Sequence, residues 1–408
     1  MEIHTTAAHP TTTEIVNRIE KVQANIRTQG LDAYVCHDPD NIFYLTNFAN
    51  FVHERPFILI IPAAGSMTFL MPKLEEPHVR TRSVGEMEFV HYFEFPAPAG
   101  ETWRDRLQEI LTGFPQIGIE SQCPIAVVNE IPGTPRVTDI VEDVRLIKSD
   151  YEVGRIAHAS QLMSEGHRLL LKEARPGRMV IDVHSLISST LTRKLLLDNP
   201  ESNMLNTKFS GVAQPPKIAH DPHNFTNTFM QFTEGGPHVT IVAGTANGYG
   251  GEIERTFFFG HVPEVARKPF NDMLAARALA FELLKPGIVM DELDRQVNDL
   301  LKARGYGDFL LHRTGHGFGV TNHEAPFLAE GDMREVEARM VFSIEPGIYI
   351  PGVGGFRFSD TVLVTEKGNI SLTDGPETLD ELTLAGKRRF KDRVRIWTIG
   401  LATRGKKK

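Results

Sequence analysis

Hydrophobic and polar positions follow two different rhythms along this chain. After the threonines of "TTTE", Ile15, Val16, Ile19 and Val22 recur at helical spacing, and a threonine can accept the first free amides, so a helix is predicted to open there. The runs "LDAYVCH", "FILIIP", "SMTFLM", "EFVHYF" and "IGIE" then read as short strands separated by helices and turns. Together they predict a smaller α/β domain over residues 14–148, preceded by a flexible N-terminus at 1–13. Its end is marked by "VRLIKSDYEVGRIAHASQLM", where the polar "KSD" can cap a new, long amphipathic helix.

Beyond that point the pattern changes. Helical periodicity near 151–175, 181–196, 266–285 and 290–304 alternates with the strand-like runs "HVTIVAG", "GEIERTFFFG", "MVFSIEPGIYI" and "SDTVLVT". Helices mixed with antiparallel-looking strands in this way predict an α+β domain with a curved sheet over 149–385, leaving 386–408 as a basic C-terminal tail.

Composition adds bounds. At 408 residues the chain is longer than a single core normally serves, which agrees with two domains. Hydrophobic residues make up 41% and charged residues 24%, an ordinary globular balance. The net charge is −8 and the tail is the only concentrated basic stretch, so no nucleic-acid partner is expected and the tail reads as a solvated terminus. Cys36 and Cys123 stand in no metal or redox spacing, which fits a reducing compartment. No basic-then-apolar leader opens the chain, and no segment reaches the roughly 18 uninterrupted apolar residues that span a bilayer. A soluble, cytoplasmic protein with no membrane partner is expected.

Chemistry is concentrated in a few places. Polar groups cluster in "AHDPHN" (His220, Asp221, His223), "GEIERT" (Glu252, Glu254, Arg255), "TGHGFGVTNHEAP" (His316, His323, Glu324), "FSIEPG" (Glu345) and "FRFSD" (Arg357, Asp360). Each borders an apolar, strand-like run, and polar groups buried there must be paired, liganded or functional. Glu252 and Glu254 are two apart, so on a strand they share a face. Glu254 and Arg255 can also form a buried structural pair. Histidine with carboxylates suits a proton shuttle near neutral pH or a metal-binding face.

The segments "GYGGEIERTF", "TGHGFGVTNHEAP", "MVFSIEPGIYI" and "GFRFSDTVLVTEKG", in this order, resemble the signature segments of the pita-bread (M24-type) superfamily, which includes methionine aminopeptidase, prolidase, aminopeptidase P and creatinase. The resemblance runs from roughly residue 14 to 375 and implies a pita-bread catalytic domain behind a creatinase-type N-terminal domain. The family's metallopeptidases hold two ions with two Asp, one His and two Glu. Those positions fall here on Ile241, Glu252, His316, Glu345 and Ser359. With Ile241 and Ser359 unable to serve, the resemblance leaves at most one divalent ion (Mn, Fe or Zn) on Glu252, His316 and Glu345.

Creatinase, the metal-free branch, offers other correspondences. "SGVAQPPKIAHDPHN" places its catalytic histidine on His223, and "EIERTF" places a substrate-binding glutamate on Glu254. "VHERPFILI" and "GDMREVEARMVF" place two carboxylate-binding arginines on Arg55 and Arg334. A second creatinase glutamate is replaced by Phe358 and an aromatic by His53, so creatine itself is not the expected substrate. The leading expectation is therefore a metal-independent hydrolase, without a cofactor, that cleaves a non-peptide C–N bond (amidine, amide or cyclic amidine) in a small carboxylate compound. In it His223 acts as general acid/base, Glu254, His316 and His323 take part in catalysis, and Arg55, Arg334, Glu345, Phe358 and His53 shape the substrate site. The resemblance also implies a homodimer with Arg55 acting in trans. A single-metal Xaa-Pro type aminopeptidase, dipeptidase or lyase using Glu252, His316 and Glu345 is the alternative, and a non-catalytic binding protein on the same shell is a second.

Overall fold

Thr11 has extended backbone and its side chain accepts the amide of Glu14 at 3.2 Å, which opens the helix Thr12–Thr28. The computed structural model describes residues 3–50, 54–224 and 230–386, so His53 and residues 387–408 of the basic tail lie outside the described residues. The chain divides into two units, Ala8–Leu146 and the remainder.

In the first unit six strands form one sheet in the order Glu88–Tyr92, Thr68–Pro72, Ile58–Pro62, Ala33–Cys36, Ile117–Ile119, Arg136–Val137. The central pairings around Ala33–Cys36 are antiparallel to Ile58–Pro62 and parallel to Ile117–Ile119. Val35, Ile58, Ile60, Leu70, Leu107 and Ile117 close its core.

The second unit begins with a capping box. Ser149 Oγ accepts the Glu152 amide at 3.2 Å while Glu152 accepts the Ser149 amide at 3.0 Å, starting the helix Asp150–Glu173. That helix packs on the strand Tyr249–Glu254, within a ten-stranded sheet. The main path runs Glu324–Leu328, Gly315–Gly317, Val341–Ile344, Ser359–Thr365, Tyr249–Glu254, Gly235–Ala246, Thr256–Phe259, Thr383–Leu384. This is the mixed α and β layering expected of a pita-bread domain. Among the described residues no helix is long and apolar enough to cross a membrane.

Two runs that read as single strands are broken, and both breaks serve the site. "GEIERTFFFG" divides at Arg255, whose amide donates to Thr240 Oγ1 at 2.8 Å. "MVFSIEPGIYI" divides at Glu345 and Pro346, because proline has no amide to continue the ladder. Val341–Ile344 stays in the large sheet, while Gly347–Ile350 leaves it to pair with Gly354–Arg357 in a separate ribbon. Glu345 is thereby placed at the corner between two sheets.

Candidate active site

Strand alternation sets the floor of the site. Glu252 lies opposite Ala243 in the neighbouring strand and Glu254 opposite Ser359, and both glutamates face a cavity of about 360 Å³ that Ile241 and Ala243 also line. Arg255 points the other way. Its guanidinium is bound by Asp360 at 2.8 Å and by the carbonyls of Ser359 (2.9 Å), Glu254 (2.8 Å) and Pro376 (2.8 Å). Asp360 in turn accepts from Arg277 at 2.7 Å and Thr373 at 3.0 Å. The expected Glu254–Arg255 pair is thus not formed, because adjacent residues on a strand face opposite sides.

His316 and Glu345 complete the floor from the other side. The His316 amide donates to Ser343 Oγ at 2.9 Å and its Nδ1 meets the Gly317 carbonyl at 3.1 Å. Its ring stacks on His323, with centroids 3.6 Å apart. Burial lowers the His316 pKa, so the ring is neutral. Burial, reinforced by the nearby Glu252 charge, pushes Glu345 up to about 8. The loop that carries His323 is held from beneath: buried Lys148 bonds Glu324 at 3.2 Å, and a Cβ on Gly319 would come within 2.1 Å of the Glu324 carboxylate. A side chain at 319 would therefore push the Glu324 carboxylate from its place.

Arg357 adds a buried cation. Its Nη2 donates to Glu254 Oε1 at 2.9 Å and its Nε lies against Glu254 Oε2. Nη1 donates to Tyr349 at 3.2 Å, and the Tyr349 hydroxyl meets His312 Nε2 at 2.7 Å. Burial opposes the Arg357 charge, but Glu254 outweighs it and raises the pKa further. Burial and the Arg357 charge hold His312 down at about 4, so it is neutral and accepts the tyrosine proton.

The expected site residues separate into those brought together and those not. His223, Glu252, Glu254, His323 and Glu345 all line the cavity, with His223 and His323 exposed at its mouth and His316 buried beside them. Arg334 does not join them: it is exposed and ion-paired with Asp332. Arg55 belongs to the first unit, where its Nε donates to Glu94 at 2.5 Å. Phe358 is fully buried on the opposite face, over the Arg255 guanidinium at 4.7 Å and edge-on to Phe270. It alternates with Arg357 and Ser359, so it cannot face the same cavity as they do. Tyr349, His312, Arg313 and Asn322 were not singled out from the sequence. The signal available for two of them was position, since His312 and Arg313 stand just before "TGHGFG".

Residues 154–366 match metallopeptidase family M24, and residues 18–147 match the creatinase/prolidase N-terminal domain. The first match alone covers more than half of the chain. The chain belongs to metallopeptidase family M24. A putative dipeptidase of Bacillus subtilis (strain 168) is 28% identical over 372 residues, covering 89% of this chain and 99% of its own length. An uncharacterized peptidase of Staphylococcus epidermidis is 28% identical over 362 residues, covering 88% of this chain and 99% of its own length. Among solved structures, the prolidase from Pyrococcus furiosus superposes with a TM-score of 0.74 at 25% identity, covering 87% of this chain and 100% of that one.

These relatives correct the leading expectation. A metallopeptidase family and peptidase relatives overturn the non-peptide C–N hydrolase, its amidinohydrolase-like character and the absence of a cofactor. The structure supplies a physical reason. Glu254 was to orient a cationic head group, yet its carboxylate is already neutralised by Arg357.

A metallopeptidase implies a metal ion, and His316 tests whether one fits. The Gly317 carbonyl can only accept, so the His316 ring proton sits on Nδ1 and Nε2 presents a bare lone pair. That nitrogen has no hydrogen-bond partner and lies 3.4 Å from Glu345 Oε1. Two electron pairs facing each other in a buried cavity require a cation or proton between them. Donor atoms of Glu252, His316 and His323 lie within 4.8 Å of one another, as do those of Glu252, Glu254 and Glu345. Imidazole with carboxylates suits manganese, iron or zinc. A cation therefore fits.

Proposed function

We propose that this protein is a metal-dependent dipeptidase of the Xaa-Pro type, holding one divalent ion on Glu252, His316 and Glu345. The observation that carries this reading is the unpartnered Nε2 of His316, buried 3.4 Å from Glu345 in a cavity of dipeptide size within a metallopeptidase. When bound, the ion supplies Lewis acidity to the peptide carbonyl and makes a water more acidic. The protein's own groups do the rest. Arg313, His223 and His323 line the cavity and present donors to the substrate's terminal carboxylate. Tyr349 and His312 hold Arg357 in place, and Ile241 and Ala243 present an apolar wall to the proline ring or side chain. Fixing both ends of so small a substrate sets the scissile bond beside the floor of the site.

The homodimer, with Arg55 completing the site of a second copy, belongs to the same proposal. Arg55 would then exchange its Glu94 partner for a substrate carboxylate, and Arg55→Ala should raise KM with kcat little changed.

The test is hydrolysis of a panel of Xaa-Pro and non-proline dipeptides before and after chelation. Cleavage of Xaa-Pro dipeptides that is lost with chelator and restored by Mn(II), Fe(II) or Zn(II) is expected. Cleavage that survives complete chelation, or no cleavage of any dipeptide by the metal-loaded protein, contradicts the proposal.

A further inference from the structure

Three carboxylates, Glu252, Glu254 and Glu345, converge on the cavity floor, with the guanidinium of Arg357 beside them. Arginine keeps its proton under all conditions in which the fold survives. Here two edges of the guanidinium are committed: Nη2 and Nε to the two oxygens of Glu254, and Nη1 to Tyr349. Glu252 has no comparable partner, since its Oε1 takes its hydrogen bond from the neutral Ser359 hydroxyl at 2.6 Å. Arg313 also reaches the cavity, but it is half-buried, lies over the Phe327 ring at 4.6 Å and donates to the Gly315 carbonyl. Its charge is shared with solvent and acts on Glu345 less than that of Arg357.

The charges then close in one way. Counted in the ionised forms that would face a bound cation, three carboxylates and one guanidinium leave two negatives, and a single divalent ion balances them. A second divalent ion would leave an uncompensated double positive charge in a cavity partly walled by the hydrocarbon of Ile241.

We propose that the Arg357–Glu254 ion pair is a built-in counter-charge that limits the site to one divalent ion, by withdrawing Glu254 from the ligands and standing in for a second cation. This rests on the metal-dependent reading above. Glu254 acts on the ion through Arg357, as a positioning and charge-balancing residue, and does not ligate.

Mn(II) titration of the chelator-stripped full-length chain, read by equilibrium dialysis and metal analysis, tests this. Wild type should bind one ion per chain. Glu254→Gln leaves Arg357 uncompensated beside the ion and should weaken binding by about tenfold or more. Glu254→Gln combined with Arg357→Met removes both charges and should return affinity to within about threefold of wild type. A double variant as weak as Glu254→Gln makes Glu254 a ligand and overturns the proposal, as does wild type that takes two ions. No bound ion at all overturns the metal-dependent reading, and this inference with it. Should the variants fail to fold, the Mn(II) electron paramagnetic resonance spectrum of wild type decides: an isolated ion supports the proposal and an exchange-coupled pair contradicts it.

Discussion

Behind the paired strands Tyr249–Glu254 and Ser359–Thr365, Arg255, Asp360, Arg277 and Glu377 form a closed set of ion pairs and hydrogen bonds. On the other face, Glu254, one residue before Arg255, and Glu252, held by Ser359, meet Glu345 and His316, where an imidazole lone pair has no partner and a carboxylate is raised to about 8. Both faces bury charge in the same two strands. The difference is that the first satisfies its charges internally and so needs nothing, while the second leaves a lone pair facing a carboxylate and needs a cation or proton between them. Buried charge by itself therefore does not mark a functional site; buried charge left unbalanced does.

The largest effect should come from breaking the satisfied face. Asp360→Ala leaves the fully buried Arg255 without a carboxylate and Arg277 with Glu377 alone, and should cost about 3–5 kcal/mol in chemical denaturation, with or without metal. Phe358→Ala removes the ring that packs over Arg255 and should cost about 3 kcal/mol while leaving KM of the surviving folded enzyme near wild type. A large rise in KM would return Phe358 to the substrate site.

The unbalanced face should respond in the opposite manner. Glu345→Gln replaces a carboxyl whose ionisation burial and the Glu252 charge already oppose, so the metal-free protein should be no less stable than wild type, yet hydrolysis should fall to background. Wild type should gain about 2.7 kcal/mol at a hundredfold excess of ion over its Kd, and Glu345→Gln should gain far less. Equal metal-dependent gains in both proteins would remove Glu345 from the ligand set. Ser359→Ala should have the smallest effect, about 1 kcal/mol, from loss of its 2.6 Å bond to Glu252.

Much of this contrast was legible in the sequence, and the remainder has identifiable reasons. Alternation placed Glu252 and Glu254 on one face, and local capping chemistry located the helices that begin after Thr11 and Ser149. The segments containing His316 and Glu345 carried the family. What sequence spacing cannot show is which charge meets which. Glu254 is followed at once by Arg255 but pairs with Arg357, more than a hundred residues away, because strand geometry turns neighbours apart and registers distant strands together. The same alternation puts Phe358 in the core, although its alignment with a creatinase residue pointed to substrate. The creatinase resemblance pointed to Glu254 as a substrate-binding group, whereas its carboxylate pairs with Arg357.

Crystals of the metal-free protein soaked with Mn(II) provide the most direct test of the unbalanced face. One anomalous-difference peak bounded by Glu252, His316 and Glu345 is expected, with the Arg255–Asp360 face unchanged. Full occupancy elsewhere with no peak between those three residues would contradict the account.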